Sequence, residues 1–160
     1  MPQANRSPEK QLASLIAKFT PEIASFARKI RAEMRARYPT ALELVYDNYN
    51  ALAIGFSPSE RPSQGIFSIA IYPKWVSLFF LQAKGLPDPE KKLQGSGKVA
   101  KHIVLSSPEI LNDPAIRTLM REAEARAVAP FDPSGSHRLI IKSICEKQRP
   151  RRPKIQSPEG

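Results

Sequence analysis

Residues 93–105 read LQGSGKVAKHIVL, with two glycines, a serine and a lysine ahead of an apolar run. The peptide N–H groups of Gly95, Ser96, Gly97 and Lys98 can converge on an anion, and Lys98 and Lys101 add positive charge beside them. The stretch is not a Walker A loop. That pattern needs glycine where Lys92 stands and a hydroxyl residue where Val99 stands. A strand, not a helix, follows, so no helix dipole would face a phosphate. Nucleotide hydrolysis is therefore not expected, while simple anion binding and a plain lead into a strand both stay open.

A second group is YDNYN, residues 46–50. In an extended chain Tyr46, Asn48 and Asn50 fall on one side. They suit recognition of a polar small molecule, or a strand entry whose amides satisfy nearby backbone groups. A third is the basic end of the chain, with Lys147, Arg149, Arg151, Arg152 and Lys154. Pro150 and Pro153 bar a helix there. Such a segment would either contact nucleic acid in an extended, sequence-independent way or simply be solvated.

Catalytic chemistry has no comparable set. His102 lacks a recognisable orienting partner. His137 sits among Pro, Gly and Ser residues and reads as a surface side chain. Cys145 is the only cysteine, at the end of an apolar run, and reads as a structural thiol. Trp75 and the VSLFF that follows read as core, because base stacking needs exposed aromatics. No enzyme, metal or cofactor is expected.

The elements that must position these groups follow from composition and period. A chain of 160 residues with 41% hydrophobic and 25% charged residues makes one folded domain. No apolar run could span a bilayer. The opening residues show no apolar stretch behind a basic start, so a cytoplasmic protein without membrane contact is expected. The net charge is +10, and residues 137–160 hold seven cations against two acids. An anionic partner is plausible at that end.

Ser7-Pro8, Thr20-Pro21 and Asp113-Pro114 each supply an N-cap followed by proline at the first helical position. Behind them run the helical stripes Leu12/Leu15/Ile16/Phe19, Ile23/Phe26/Ala27/Ile30/Met34 and Ile116/Leu119/Met120/Ala123. Between and after them NYNALAIGF, GIFSIAIYP, KWVSLFFLQ, KHIVL and HRLIIKSI read as five strands. Tyr72-Pro73-Lys74-Trp75 forms a tight turn, which makes its two strands antiparallel neighbours. The expectation is an α+β domain: a largely antiparallel sheet of about five strands, two N-terminal helices and one C-terminal helix. It spans residues 1–145, with 146–160 a disordered, basic, Pro-rich tail. The strands are apolar on both faces, so both need cover. That cover comes from helices split across the sheet, from a homodimer contact or from a ligand cavity.

TPEIASFARKIRAEMRARYPTALELVY, NYNALAIGF, YPKWVSLFFLQ and LQGSGKVAKHIVL, followed by a helix, together resemble the YdhG-like domain family of unknown function. The resemblance spans roughly residues 20–127. It implies an α+β fold in a bacterial cytoplasm, and for some members frataxin-like iron delivery. Iron delivery uses exposed carboxylates as hard ligands, whereas Glu22 and Glu33 here are interleaved with Arg28, Lys29, Arg31 and Arg35. The sequence thus points first to a non-enzymatic binding domain that meets a phosphate compound or nucleic acid through the glycine loop and the basic tail. The alternatives are an iron chaperone and a nucleic-acid accessory protein that uses the tail alone.

Overall fold

A computed structural model describes residues 7–153. The elements are α1 (Pro8–Ile16), α2 (Pro21–Arg37), β1 (Leu42–Asp47), β2 (Leu52–Ser57), β3 (Phe67–Ile71), β4 (Val76–Phe80), β5 (Lys101–Leu105), α3 (Pro114–Arg126) and β6 (Leu139–Ile144). The protein is α+β, with a mostly antiparallel sheet, two N-terminal helices and one later helix. Each helix starts where a capping side chain satisfies otherwise orphaned N–H groups. Ser7 accepts from Lys10 N at 3.2 Å, Thr20 from Ile23 N at 3.3 Å and Asp113 from Ala115 N at 2.8 Å. No helix among the described residues is long and apolar enough to cross a membrane.

The sheet has six strands in the order β5-β4-β3-β2-β1-β6. All neighbours are antiparallel except β1 and β6, which run parallel with a register shift between Val45 and Tyr46. The strand that alternation does not single out is β1. Its Glu43 stands on the apolar face at 0% exposure, and a buried carboxylate breaks the expected pattern. Arg31 makes the placement possible, donating from Nε at 2.7 Å and from a terminal nitrogen at 2.9 Å. His137 lies 2.7 Å from the same carboxylate. A buried charge needs this kind of pairing. His137 is accordingly not the free surface side chain the sequence suggests: it ties the loop before β6 to β1.

The strand residues divide cleanly by face. One face carries the rows Val45–Ile54–Ile69–Leu78–Ile103 and Phe56–Phe67–Phe80. These side chains share a single core cluster with the apolar stripes of all three helices. Phe67 and Phe80 meet edge to face at 5.5 Å, and Tyr38 stacks on Phe67 at 5.1 Å. Truncating one such buried ring costs about 3–5 kcal/mol.

The opposite face carries Tyr46–Ala53–Ala70–Ser77–Val104 and Leu44–Gly55–Ser68–Phe79–His102. Leu44, Ala51 and Ala70 are buried there but lie outside the helix-covered cluster. The helices are therefore not split across the sheet. Small residues in the middle of β2 and β3 leave a shallow trough on this second face.

The chain beyond β6 departs from the expected disordered tail as far as residue 153. Arg151 is buried, and its guanidinium donates to Asp47 Oδ1 at 2.8 Å and to the carbonyl of Asn48 at 2.5 Å. Gln148 donates to Asp47 Oδ2 at 2.7 Å, and Arg149 N to Tyr49 O at 2.9 Å. Residues 145–153 form a strap over the β1–β2 turn. Pairing across 104 positions is invisible to composition, which registers only a charged, proline-rich stretch.

Candidate functional site

At one end of the sheet two turns and the strap converge. The β3–β4 turn is closed by Tyr72 N donating to Trp75 O at 2.9 Å. Residues 72 and 75 continue the second-face alternation of their strands, so both rings lie on that side. They stack at a centroid separation of 4.6 Å and an interplanar angle of 19°. Trp75 is 42% exposed, which corrects its assignment to the core. Alternation splits the segment: Val76, Leu78 and Phe80 enter the core, while Trp75, Ser77 and Phe79 occupy the other face. Burial holds the Tyr72 hydroxyl above the usual tyrosine range, so it stays neutral and available as a donor.

Facing this pair, the strap brings two cations. The Arg149 guanidinium lies 5.6 Å from the Tyr49 ring centroid, a cation–π geometry that leaves its N–H edge available. Arg152 donates from Nε to the carbonyl of Lys18 at 3.1 Å, at the C-terminal end of α1. Neither arginine has an acidic partner among the described residues. Asn50, Tyr72, Lys74, Trp75, Arg149 and Arg152 line a cavity of about 760 Å³. A second cavity of about 350 Å³ shares Asn50 and Tyr72 and runs over the Ala53, Ser68 and Ala70 floor to Phe79. Farther along that face the Phe79 and His102 rings meet with centroids 4.9 Å apart, tilted by 35°.

The predicted residues fare unequally against this geometry. Asn48 and Asn50 sit in the β1–β2 turn, where Asn48 N donates to Ala51 O at 2.9 Å, and both line the smaller cavity. Tyr46 belongs to β1 and shares the second face without lining either cavity. Arg149 and Arg152 join the site. Arg151 does not, because its charge is consumed by Asp47, and Lys147 is exposed elsewhere on the strap. Lys154 lies outside the described residues.

The glycine loop stands apart. Gly95, Ser96, Gly97 and Lys98 are exposed, and the segment is shaped by its own bonds. Asp88 accepts from Lys92 N and Leu93 N at 2.8 and 2.9 Å, and Gln94 bridges to His102. Gly97 has a packing reason: a Cβ there would stand 2.7 Å from the carbonyl oxygen of Ala100. Lys84, Lys98 and Lys101 border a separate cavity of about 470 Å³, with Asp88 also on its wall.

Among the described residues no group of three or more His, Cys, Asp or Glu side chains could hold a metal ion. Glu9 and Glu43, the carboxylates drawn together by α2, are bridged by Arg31 at 2.9 and 2.7 Å. Cys145 is free and exposed.

Tyr49, Tyr72, Lys74, Trp75 and Phe79 are the site residues that motif reading misses. The signal that could have found them is the period-two placement of Trp75, Ser77 and Phe79 against Val76, Leu78 and Phe80. Comparison of the chain with protein-family models, curated proteins and solved structures finds no match. The likeness to the YdhG-like family rests on its sequence motifs alone.

Proposed function

We propose that this protein is a non-enzymatic binding domain for an anionic ligand that carries a flat ring, a nucleotide or a nucleic acid. The observation that carries the reading is the exposed Tyr72–Trp75 stack with Arg149, Arg152 and Lys74 around one cavity. A stacked indole offers a π face to a base, and the neighbouring cations offer charge-assisted bonds to phosphate. The net charge of +10 raises the local concentration of such a ligand. The strap supplies the arginines in a fixed place, because Arg151 anchors it and Pro150 stiffens it. The setting this reading favours is the cytoplasm, where nucleotides and nucleic acids are met.

The test uses the only tryptophan as its own reporter. Nucleotides and oligonucleotides are titrated at low salt while Trp75 emission is followed. Saturable quenching that is weakened by Arg149→Ala and by added salt supports the reading. An unchanged emission with every phosphate compound and nucleic acid tried removes it.

The glycine loop is a second anion contact in this reading, favoured by the three lysines around its cavity. Lys98→Ala with Lys101→Ala then weakens inorganic phosphate binding and leaves Trp75 quenching untouched. Equal phosphate binding by that variant and the parent would leave the loop a structural turn.

A further inference from the structure

None of the three described helices lies over the second face of the sheet, and its two rows contain no carboxylate. It starts at the Tyr72–Trp75 stack and reaches Phe79, beside the tilted ring of His102, without a break, because the trough cavity runs from Asn50 and Tyr72 to Phe79. Trp75 and Phe79 lie four residues apart on one face of β4 and its turn. At roughly 3.3 Å per residue that separation is about 13 Å. A single nucleic-acid strand rises roughly 3.4 Å per stacked nucleotide, so the two platforms are about four stacked nucleotides apart, and fewer when the strand is splayed.

From this spacing we infer that the ligand is single-stranded nucleic acid, DNA or RNA, laid along β4 across the uncovered face. One base stacks at Tyr72–Trp75 and another at Phe79–His102, with Arg149, Arg152 and Lys74 holding the phosphates at the first platform. The inference rests on the proposed binding reading and narrows it to a polymer of one strand. Three features point to that occupant. Stacking platforms accept only bases that are out of a duplex. The floor of Ala53, Ser68 and Ala70 is low enough for a chain to pass over it. The charge of the rim favours a polyanion over a neutral apolar partner.

The experiment measures fluorescence anisotropy with labelled oligo-dT and oligo-U of two, four and about eight nucleotides, and with a duplex of matching length. Affinity is expected to rise steeply between two and about eight nucleotides and to be weaker for the duplex. Phe79→Ala should weaken the longest strand about 5- to 150-fold, the worth of one stacked base, and should weaken the dinucleotide, which reaches only one platform, much less. Phe79→Leu keeps apolar bulk without the π face and guards against a folding artefact; it should show the same selective loss. Equal affinity for strand and duplex, no dependence on length, or an intact long-strand affinity in both Phe79 variants would overturn the inference. If mononucleotides still quench Trp75 in that case, the underlying reading survives; if nothing quenches it, both fail.

Discussion

Replacing Arg151 with alanine separates a structural strap from a solvated tail. The Arg151 side chain is 5% exposed and its partner Asp47 is 2% exposed, with 2.8 Å between them. Arg151 also donates to the carbonyls of Asn48 and Tyr49. Removing one member of a buried ion pair costs about 3–5 kcal/mol, because the other charge is left unpaired. Gln148 still donates to Asp47 in the variant, which places the loss near the lower end, about 3 kcal/mol. At roughly 2–4 °C per kcal/mol for a chain of this size, melting falls by about 6–12 °C. Circular-dichroism melts with urea unfolding at neutral pH measure it. Arg151→Met with Asp47→Leu should recover most of the loss, since an apolar pair can replace a buried ion pair at little cost. Deleting residues 147–160 should lower the melting temperature by at least as much as Arg151→Ala. A shift below about 2 °C for Arg151→Ala would refute the reasoning, because a mere tail contributes almost no native contact.

Gly97→Ala forces a Cβ against the Ala100 carbonyl and should cost about 1–3 kcal/mol, read as a lower urea midpoint. Ser77 Oγ is buried without a hydrogen-bond partner among the described residues, so Ser77→Ala should leave stability unchanged or raise it by up to about 1 kcal/mol in the same assay. Arg31 holds the Glu9 carboxyl below its ordinary range, chiefly by hydrogen bonding. Because the folded-state value is depressed, that stabilisation is present above the usual carboxylate range and is lost as pH falls through the lowered value. Glu9 is half exposed, so the loss is less than about 1 kcal/mol, and Glu9→Gln should flatten this part of the urea-midpoint profile at acid pH.

Local signals carried most of the fold. Ser7, Thr20 and Asp113 cap the helices because a short polar side chain ahead of proline has few better uses, and the cap lies within three residues of its partner. The β3–β4 hairpin was legible for the same reason. What the sequence concealed depends on distant partners. Glu43 makes β1 look wrong for a strand until Arg31 and His137 arrive from 12 and 94 positions away. Arg151 reads as a solvent cation until Asp47 takes its charge. Residue type alone puts Trp75 in the core, although period-two alternation puts it opposite Val76 and Leu78. Of the candidate site, Asn48, Asn50, Arg149 and Arg152 were visible, while the aromatic half was hidden inside an apolar run.

The most direct test is an amide NMR titration of the full chain with a single-stranded oligonucleotide of about eight nucleotides, which reports where on the surface a ligand sits. The account predicts that shifts concentrate at residues 49–50, 72–79 and 149–153, and that they reverse as salt is raised. Shifts confined to the glycine loop at residues 95–101, or none at low salt, would contradict it.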